Sequence, residues 1–458
     1  MKLEPLTKFK AKPYCVLYPS QRGLMVRDAT GDRVAYGRQP IEQLLAAIEG
    51  WVCYVPNSLE SLVQTTGATS WKADLWRDKI IRMTHLPSGT RVSSLKGTVE
   101  DRHAYDDLEG LLKFLRGFGV MPASIPAMAW QLFRASLDRV YTVGFDPEVG
   151  RDAFYGGRQE ITNAGLYKDM QLVDIEQAYP TAQARPGGYA LSLRQVSNST
   201  YLDSSAAGIA RARVYVPESL PFAPLPIRVA EETITFQYGL IEGTWPWCEL
   251  AAAKSLGCEV EVIECWAPQR TAELFGPWWP LAQELRKLPG GSGKIGKAIS
   301  NSTWGQFGMR AQGRGTRQWA DDKGTMAVNV PMNDHDMPQS WTAHIAAETT
   351  ARVRTQMLLE GLYGGMMPAH IDTDGVIVPT GSPLPGDGAT GPGTWRVKED
   401  ITKLDLRGPQ LYRYTCPGCG VTHEHWHYNA SGIASEKAPE YFANNDYRVN
   451  VKHEMRFD

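Results

Sequence analysis

His370-Ile371-Asp372-Thr373-Asp374-Gly375-Val376-Ile377-Val378-Pro379 is the stretch on which the architecture turns. Ile371 on one side and Val376-Ile377-Val378 on the other read as two short strands, with the acidic residues at the turn between them. In a strand, residues i and i+2 point to the same face. That spacing sets Asp372 and Asp374 side by side at the edge of a core. Two adjacent carboxylates repel unless a cation sits between them. A solvated acidic turn has the same composition, so the hairpin needs partners elsewhere in the chain.

Two such partners stand upstream. Asp174 lies in Gln171-Leu-Val-Asp-Ile-Glu-Gln-Ala-Tyr179-Pro180, which begins as a buried strand and ends in a turn. Lys297-Ala-Ile-Ser-Asn301-Ser-Thr-Trp304-Gly305 reads as a helix, and residues 297, 301 and 304 then share one face. That face presents a cation, an amide and an aromatic ring, a set suited to a triphosphate, a sugar and a stacked base. Arg286 and Lys287 sit on a preceding helix, expected over about 278–288. Pro289-Gly-Gly-Ser-Gly293 reads as the turn between the two helices. From Leu285 to Ala320 the chain carries Arg286, Lys287, Lys294, Lys297, Arg310, Arg314 and Arg317 and no acid, a local electropositive patch. Separated acidic strand ends and a cationic helix face form the minimum set for nucleotidyl transfer with two metal ions.

The rest of the chain is consistent with a multi-lobed soluble enzyme. It has 458 residues, 43% hydrophobic and 21% charged, with a net charge of −2. That excludes a disordered or fibrous protein. No apolar run approaches the roughly 18 residues of a membrane span, and the first residues, Met1-Lys-Leu-Glu-Pro-Leu-Thr-Lys, lack a secretory apolar segment. A cytoplasmic location is therefore expected, in the host cell if the gene is carried by a phage. Cys15, Cys53, Cys248, Cys258 and Cys265 have apolar neighbours and read as buried and reduced. Residues 9–60 alternate short strands with one helix, residues 105–142 read as helical, and a long helix is expected over about 340–362.

The three motifs, in this order, resemble those of the family B DNA polymerases, and within them the protein-primed type of phages and linear plasmids. Asp174 to Pro180 is similar to motif A (D-x-x-S-L-Y-P), Lys297 to Gly305 to motif B (K-x-x-x-N-S-x-Y-G), and Asp372 to Asp374 to motif C (D-T-D). Tyr155-Gly156-Gly157 resembles the Y-x-G-G element that touches template. The resemblance implies an α/β (α+β) fold with a right-hand palm, fingers and small thumb, preceded by an exonuclease-like, RNase H-like α/β domain. The implied divisions are 1–150 exonuclease-like, 151–183 linker and motif A, 184–275 palm insertion, 276–308 fingers, 309–339 second insertion, 340–405 palm with motif C, and 406–458 thumb.

It also implies roles. Asp174 and Asp374 would ligate two Mg²⁺ (or Mn²⁺) ions, with Asp372 accessory. Tyr179 would be the gate against a ribose 2′-hydroxyl. Lys297, with Arg286 or Lys287, would bind the triphosphate, and Asn301 and Trp304 would line the nascent pair. Tyr155, Gly156, Gly157, Gly305 and Tyr412 would meet DNA. The implied partners are primer-template DNA, dNTPs and a terminal protein as primer; no membrane is implied.

The chain departs from the family pattern in places. Trp304 replaces the usual Tyr, Gly375 follows D-T-D where Ser is common, and Gln410-Leu411-Tyr412 lacks the lysine of K-x-Y. The family's early D-x-E is missing from Tyr14-Cys-Val-Leu-Tyr-Pro19. Asn57 remains of the next exonuclease motif, but Ser61 stands at its acidic position. A third keeps an acid in His103-Ala-Tyr-Asp106-Asp107. One carboxylate cannot hold two metals, so a scaffold without proofreading is expected. A primase-like or template-independent transferase, or a non-catalytic DNA-binding protein, remains an alternative. Near the end, Cys416, Cys419, His423 and His425 read either as a Cys₂His₂ zinc site or as a hairpin tip with an exposed histidine face.

Overall fold

The computed structural model describes residues 2–3, 13–20, 23–56, 59, 62, 71–76, 79–94, 103–120, 123–144, 147–196, 207–229, 234–308, 314–319, 326–329, 342–386, 389–417, 426–430 and 438–443. The chain folds as two compact units. One joins Met1–Val143 with Leu274–Trp341, the other Gly144–Glu273 with Thr342–Asp458.

The first unit is built on a nine-stranded mixed sheet. Tyr14–Pro19 runs parallel to Val52–Val55 and antiparallel to Gly23–Asp28, which pairs on with Gly31–Tyr36. Helix Arg38–Ala46 covers these strands, with Leu17, Val26, Leu45 and Trp71 in the core. In the region read only as an insertion, Arg314–Trp319 pairs onto Trp71–Trp76 and Met326–Asn329 pairs onto Arg314–Trp319, extending the sheet.

Helices Ala104–Arg116 and Ile125–Ser136 pack against helix Gly290–Gly308, as does Trp278–Arg286. Phe133 lies 5.2 Å from Phe275 and 5.4 Å from Phe307, ring centre to ring centre. The glycine run expected as a loop instead forms the first turn of its helix. Close packing is the reason. A Cβ on Gly293 would lie 2.2 Å from the Leu288 carbonyl oxygen, and one on Gly296 would lie 2.3 Å from that of Leu285.

The second unit carries a seven-stranded antiparallel sheet in the order Arg158–Ile161, His370–Thr373, Gly375–Pro379, Gly165–Ile175, Trp395–Gly408, Leu411–Thr415, His427–Ala430. Helix Ala343–Gln356 runs on as a π-helix over Met357–Leu362. Val173, Ile175, Val353, Met357, Val376 and Trp395 share one buried cluster beneath the sheet's acidic end. A separate four-stranded antiparallel sheet takes Tyr189–Val196, Glu259–Ala272, Ile209–Val216 and Gly239–Pro246. The five cysteines read as buried are buried and unbridged. Among the described residues no helix is long and apolar enough to cross a membrane.

Candidate active site

The acidic hairpin forms in the second unit with one change from its expected geometry. Asp372 pairs with Gly375, so Thr373 and Asp374 make a two-residue turn. Thr373 sits at φ 61, a region a β-branched residue rarely enters. Asp374 is therefore at the hairpin tip, and the shared strand face expected for Asp372 and Asp374 does not exist. The sheet brings the acids together by another route. Asp174 pairs with Gly375 on the neighbouring strand, and the Ile175 N–H donates to the Asp374 carbonyl at 2.8 Å.

The three carboxylates have different surroundings. Burial, then the charges of Asp174 and Asp372, push the Asp374 carboxyl up from 3.8 to about 6, against the pull of its own backbone N–H and Lys398. Asp174 accepts from Arg396 Nε at 3.0 Å, and Lys398 Nζ lies 3.7 Å away. Asp372 accepts from Gln159 and Gln410 side-chain amides at 3.1 and 3.2 Å and from the Thr373 hydroxyl at 3.3 Å. Behind it, burial pushes His370 down to about 4, so the ring is neutral at neutral pH, where its Nε2 faces the Gln410 N–H at 3.3 Å. Clustered oxygens at the end of a sheet, one acid held above its ordinary range by its acidic neighbours, suit hard divalent cations.

Tyr179 opens helix Ala178–Ala184, packed against the cluster under the acids. Burial raises its hydroxyl above the ordinary range, and the nearby Asp374 and Asp372 charges add to the rise. The preceding Gln177 is left-handed, φ 56, which turns the chain sharply from the Asp174 strand into that helix.

The Tyr155-Gly156-Gly157 element lies beside the hairpin. Arg158 pairs with Thr373 and Gln159 with Asp372. A Cβ on Gly157 would lie 2.6 Å from the Thr373 methyl, so only glycine fits there. Tyr155 is 4% exposed, its ring in the core. Its carbonyl and that of Gly156 each accept from Arg354 Nη1 at 2.7 Å. Arg354 is itself held by a buried two-point ion pair with Glu249, at 2.8 and 3.0 Å. The sequence reading missed Arg354, Glu249, Arg396, Lys398 and Gln159. Arg396 and Lys398 alternate on a strand, but only the register against Asp174 reveals their target.

In the first unit, Lys297 and Asn301 are exposed and Trp304 and Gly305 half-buried on the helix Gly290–Gly308, the one-face arrangement expected. Arg286 reaches that face, donating to Asn301 Oδ1 at 3.1 Å and Ser300 Oγ at 2.8 Å. Lys287 ends the preceding helix.

Asp107, an acid of the His103–Asp107 stretch, contacts the start of helix Gly290–Gly308. Asp107 Oδ1 accepts from the Gly291 N–H at 2.9 Å, and the Asp107 carbonyl accepts from the Ser292 hydroxyl at 2.5 Å. Cys15 lies in the strand that lacks the D-x-E, with its Sγ 3.6 Å from that of Cys53. Asn57 and Ser61 lie outside the described residues, as do Cys419, His423 and His425. Tyr412 is 6% exposed and stacks at a tilt on His370, ring centres 5.0 Å apart.

The sequence profile of DNA polymerase type B, organellar and viral, matches residues 121–338. The match takes in the Asp174 and Lys297 motifs and ends before Asp372. No curated protein matches the chain. Among solved structures, phi29 DNA polymerase complexed with primer-template DNA and incoming nucleotide is similar at 12% identity and a TM-score of 0.66, with 94% of each chain covered. Its complex with primer-template DNA alone gives 11%, 0.67 and 94% of each. The complex with single-stranded DNA gives 12%, 0.65 and the same coverage.

Proposed function

We propose that this chain, similar over residues 121–338 to the type B DNA polymerases and in fold to phi29 DNA polymerase, is a DNA-directed DNA polymerase of that type, that Asp174, Asp374 and Asp372 are its catalytic carboxylates and that it extends a 3′-hydroxyl with deoxynucleotides. One observation carries the site assignment. Strand pairing sets Asp174 beside the Asp374 tip, and the Asp374 carboxyl is held at about 6 by burial and acidic neighbours. Clustered acids with one held above its ordinary range are an arrangement that functional carboxylates adopt, and a bound divalent cation would relieve their repulsion. Asp174 and Asp374 would hold two Mg²⁺ ions, Asp372 assisting; bound there, the ions would supply activation of an attacking hydroxyl and neutralisation of the leaving pyrophosphate's charge.

The remaining roles fall to the protein. Lys297 and Arg286 neutralise triphosphate charge, with Lys287 beside them. Asn301 and Trp304 line the base pair. Tyr179, in the first turn of its short helix, excludes a 2′-hydroxyl. The Gly156–Gly157 backbone, fixed from behind by Arg354, lies against the template, with Gly305 and the Tyr412 strand also on the DNA path. Priming by a terminal protein belongs to the same reading. The insertion between motifs A and B has its own four-stranded sheet, a body on which a protein primer could dock.

The test is extension of a labelled DNA primer on a longer template with Mg²⁺ and dNTPs. Wild type yields template-length product and Asp374→Ala yields none. Products independent of template sequence would replace the reading with a template-independent transferase. Transfer of a labelled deoxynucleotide to a protein hydroxyl without a DNA primer would establish protein priming.

A further inference from the structure

At the far edge of the seven-stranded sheet, three side chains from three sequence segments converge. Glu399 lies on Trp395–Gly408, Cys416 directly follows Leu411–Thr415, and His427 opens His427–Ala430. One ligand atom from each falls within 4.8 Å of the others, and all three residues are half-buried. Cys416 Sγ and His427 Nε2 are 3.6 Å apart. A tetrahedral zinc ion, with about 2.3 Å to sulfur and about 2.0–2.1 Å to nitrogen, sets its ligands roughly 3.6 Å apart. The pair already has that bite.

Tyr414 orients the other two groups. Its hydroxyl donates to Glu399 Oε2 at 2.7 Å, and its ring stacks on His427, centres 4.9 Å apart and planes 22° apart. Such outer partners set a ligand's direction before the ion arrives. A thiolate and an imidazole select a borderline-soft ion over Mg²⁺.

We propose that Glu399, Cys416 and His427 bind one zinc-class divalent cation that ties together the last three strands of the sheet, with water as fourth ligand. The site is independent of the polymerase reading and shares no ligand with Asp174 or Asp374. It keeps Cys416 from the expected Cys₂His₂ set and adds Glu399 and His427; Cys419, His423 and His425 lie outside the described residues. Binding deprotonates the Cys416 thiol, and the proton leaves to solvent.

The experiment uses the full chain carrying Asp374→Ala, which removes one of the three catalytic acids and so weakens them as a competing zinc site. The protein is stripped with chelator and dialysed against Zn²⁺ in excess Mg²⁺. One zinc per chain is expected. Cys416→Ser and His427→Gln should each weaken binding at least about tenfold. Co²⁺ in place of Zn²⁺ should give a thiolate-to-cobalt absorption band, absent from Cys416→Ser. Far-UV circular dichroism separates ligand loss from misfolding, and Glu399→Gln provides a further variant if one fails to fold. No zinc bound by the parent, or equal zinc bound by Cys416→Ser and His427→Gln, overturns the site and leaves Cys416 and His427 as a hydrogen-bonded pair.

Discussion

Asp374 and Asp107 are both acids in motif positions, and the fold treats them in opposite ways. Asp374 stands at a hairpin tip beside Asp174 and Asp372, and burial with its neighbours pushes its carboxyl up to about 6. Asp107 lies on a helix, where its carboxylate accepts from the first turn of helix Gly290–Gly308. That is a capping contact, which satisfies a helix N–H and favours the negative charge. An acid retained against its own electrostatics points to chemistry, and an acid absorbed into a cap points to architecture.

Four predictions press on this difference. The largest effect falls on catalysis. Asp374→Asn keeps the size and removes the charge, and should lower primer extension by at least about 10³-fold, since metal-ligand catalysis is worth several kcal/mol. Steady-state extension on a defined primer-template measures it. A loss of less than tenfold would put Asp374 in the same class as Asp107.

Next in size is the support behind the site. Arg354 is almost fully buried, paired with Glu249 and bonded to the Tyr155 and Gly156 carbonyls. Arg354→Met leaves Glu249 buried without a partner and should cost about 3–5 kcal/mol in urea unfolding. Adding Glu249→Gln should recover part of the loss, because the two sites are coupled. A cost below 1 kcal/mol would show that the ion pair does not fix the glycine element.

Removing the Asp374 charge should have a second, smaller consequence. Its proton is held to about pH 6 in the fold and to 3.8 ordinarily. Between these values the folded state binds more protons than the unfolded one, so this contribution to stability is full below pH 3.8 and lost as pH rises through 6. Without metal at pH 7, Asp374→Asn should therefore be more stable than wild type by about 1–3 kcal/mol, reduced by solvent screening. Mg²⁺ should narrow the gap. Thermal unfolding with and without Mg²⁺, from pH 4 to 7, checks the sign. A variant less stable than wild type at pH 7 would show the carboxylate to be structural.

The same pair of acids shows what the sequence made legible. The acid hairpin, the Asp174 strand and the Lys297 helix face were readable because their spacing is local, set by strand alternation or the helix turn. The turn at the acidic residues was readable as well. The same-face placing of Asp372 and Asp374 failed, since a two-residue turn takes Asp374 off the strand and longer hairpins share this composition. Arg396 and Lys398 were hidden for another reason: they meet Asp174 through strand register more than 200 residues away, which no local pattern encodes. The glycine run at 290–293 misled because glycine permits both a loop and a close helix contact. Strands Arg314–Trp319 and Met326–Asn329 join a sheet begun near residue 14, again by pairing at long range.

Asp107→Ala is the smallest change and tests the other half of the comparison. If the carboxylate serves only to cap, its loss removes one acceptor from the Gly291 N–H and one negative charge from a helix start. Each of these is worth about 1 kcal/mol or less. The stability loss should therefore be about 1 kcal/mol, measured by denaturant midpoint. Asp107→Asn should lose less, because the amide oxygen still accepts. Degradation of labelled single-stranded DNA from its 3′ end should be absent from wild type and both variants, since the strand Tyr14–Pro19 supplies no second carboxylate. Extension should persist, because helix Gly290–Gly308 is also held by the Phe133, Phe275 and Phe307 rings. A wild-type 3′ exonuclease abolished by Asp107→Ala would reverse the assignment and give Asp107 the standing argued for Asp374. A stability loss larger in the alanine variant, with no nuclease in any protein, gives Asp107 a capping role and leaves metal-dependent phosphoryl chemistry to the Asp174, Asp372 and Asp374 cluster.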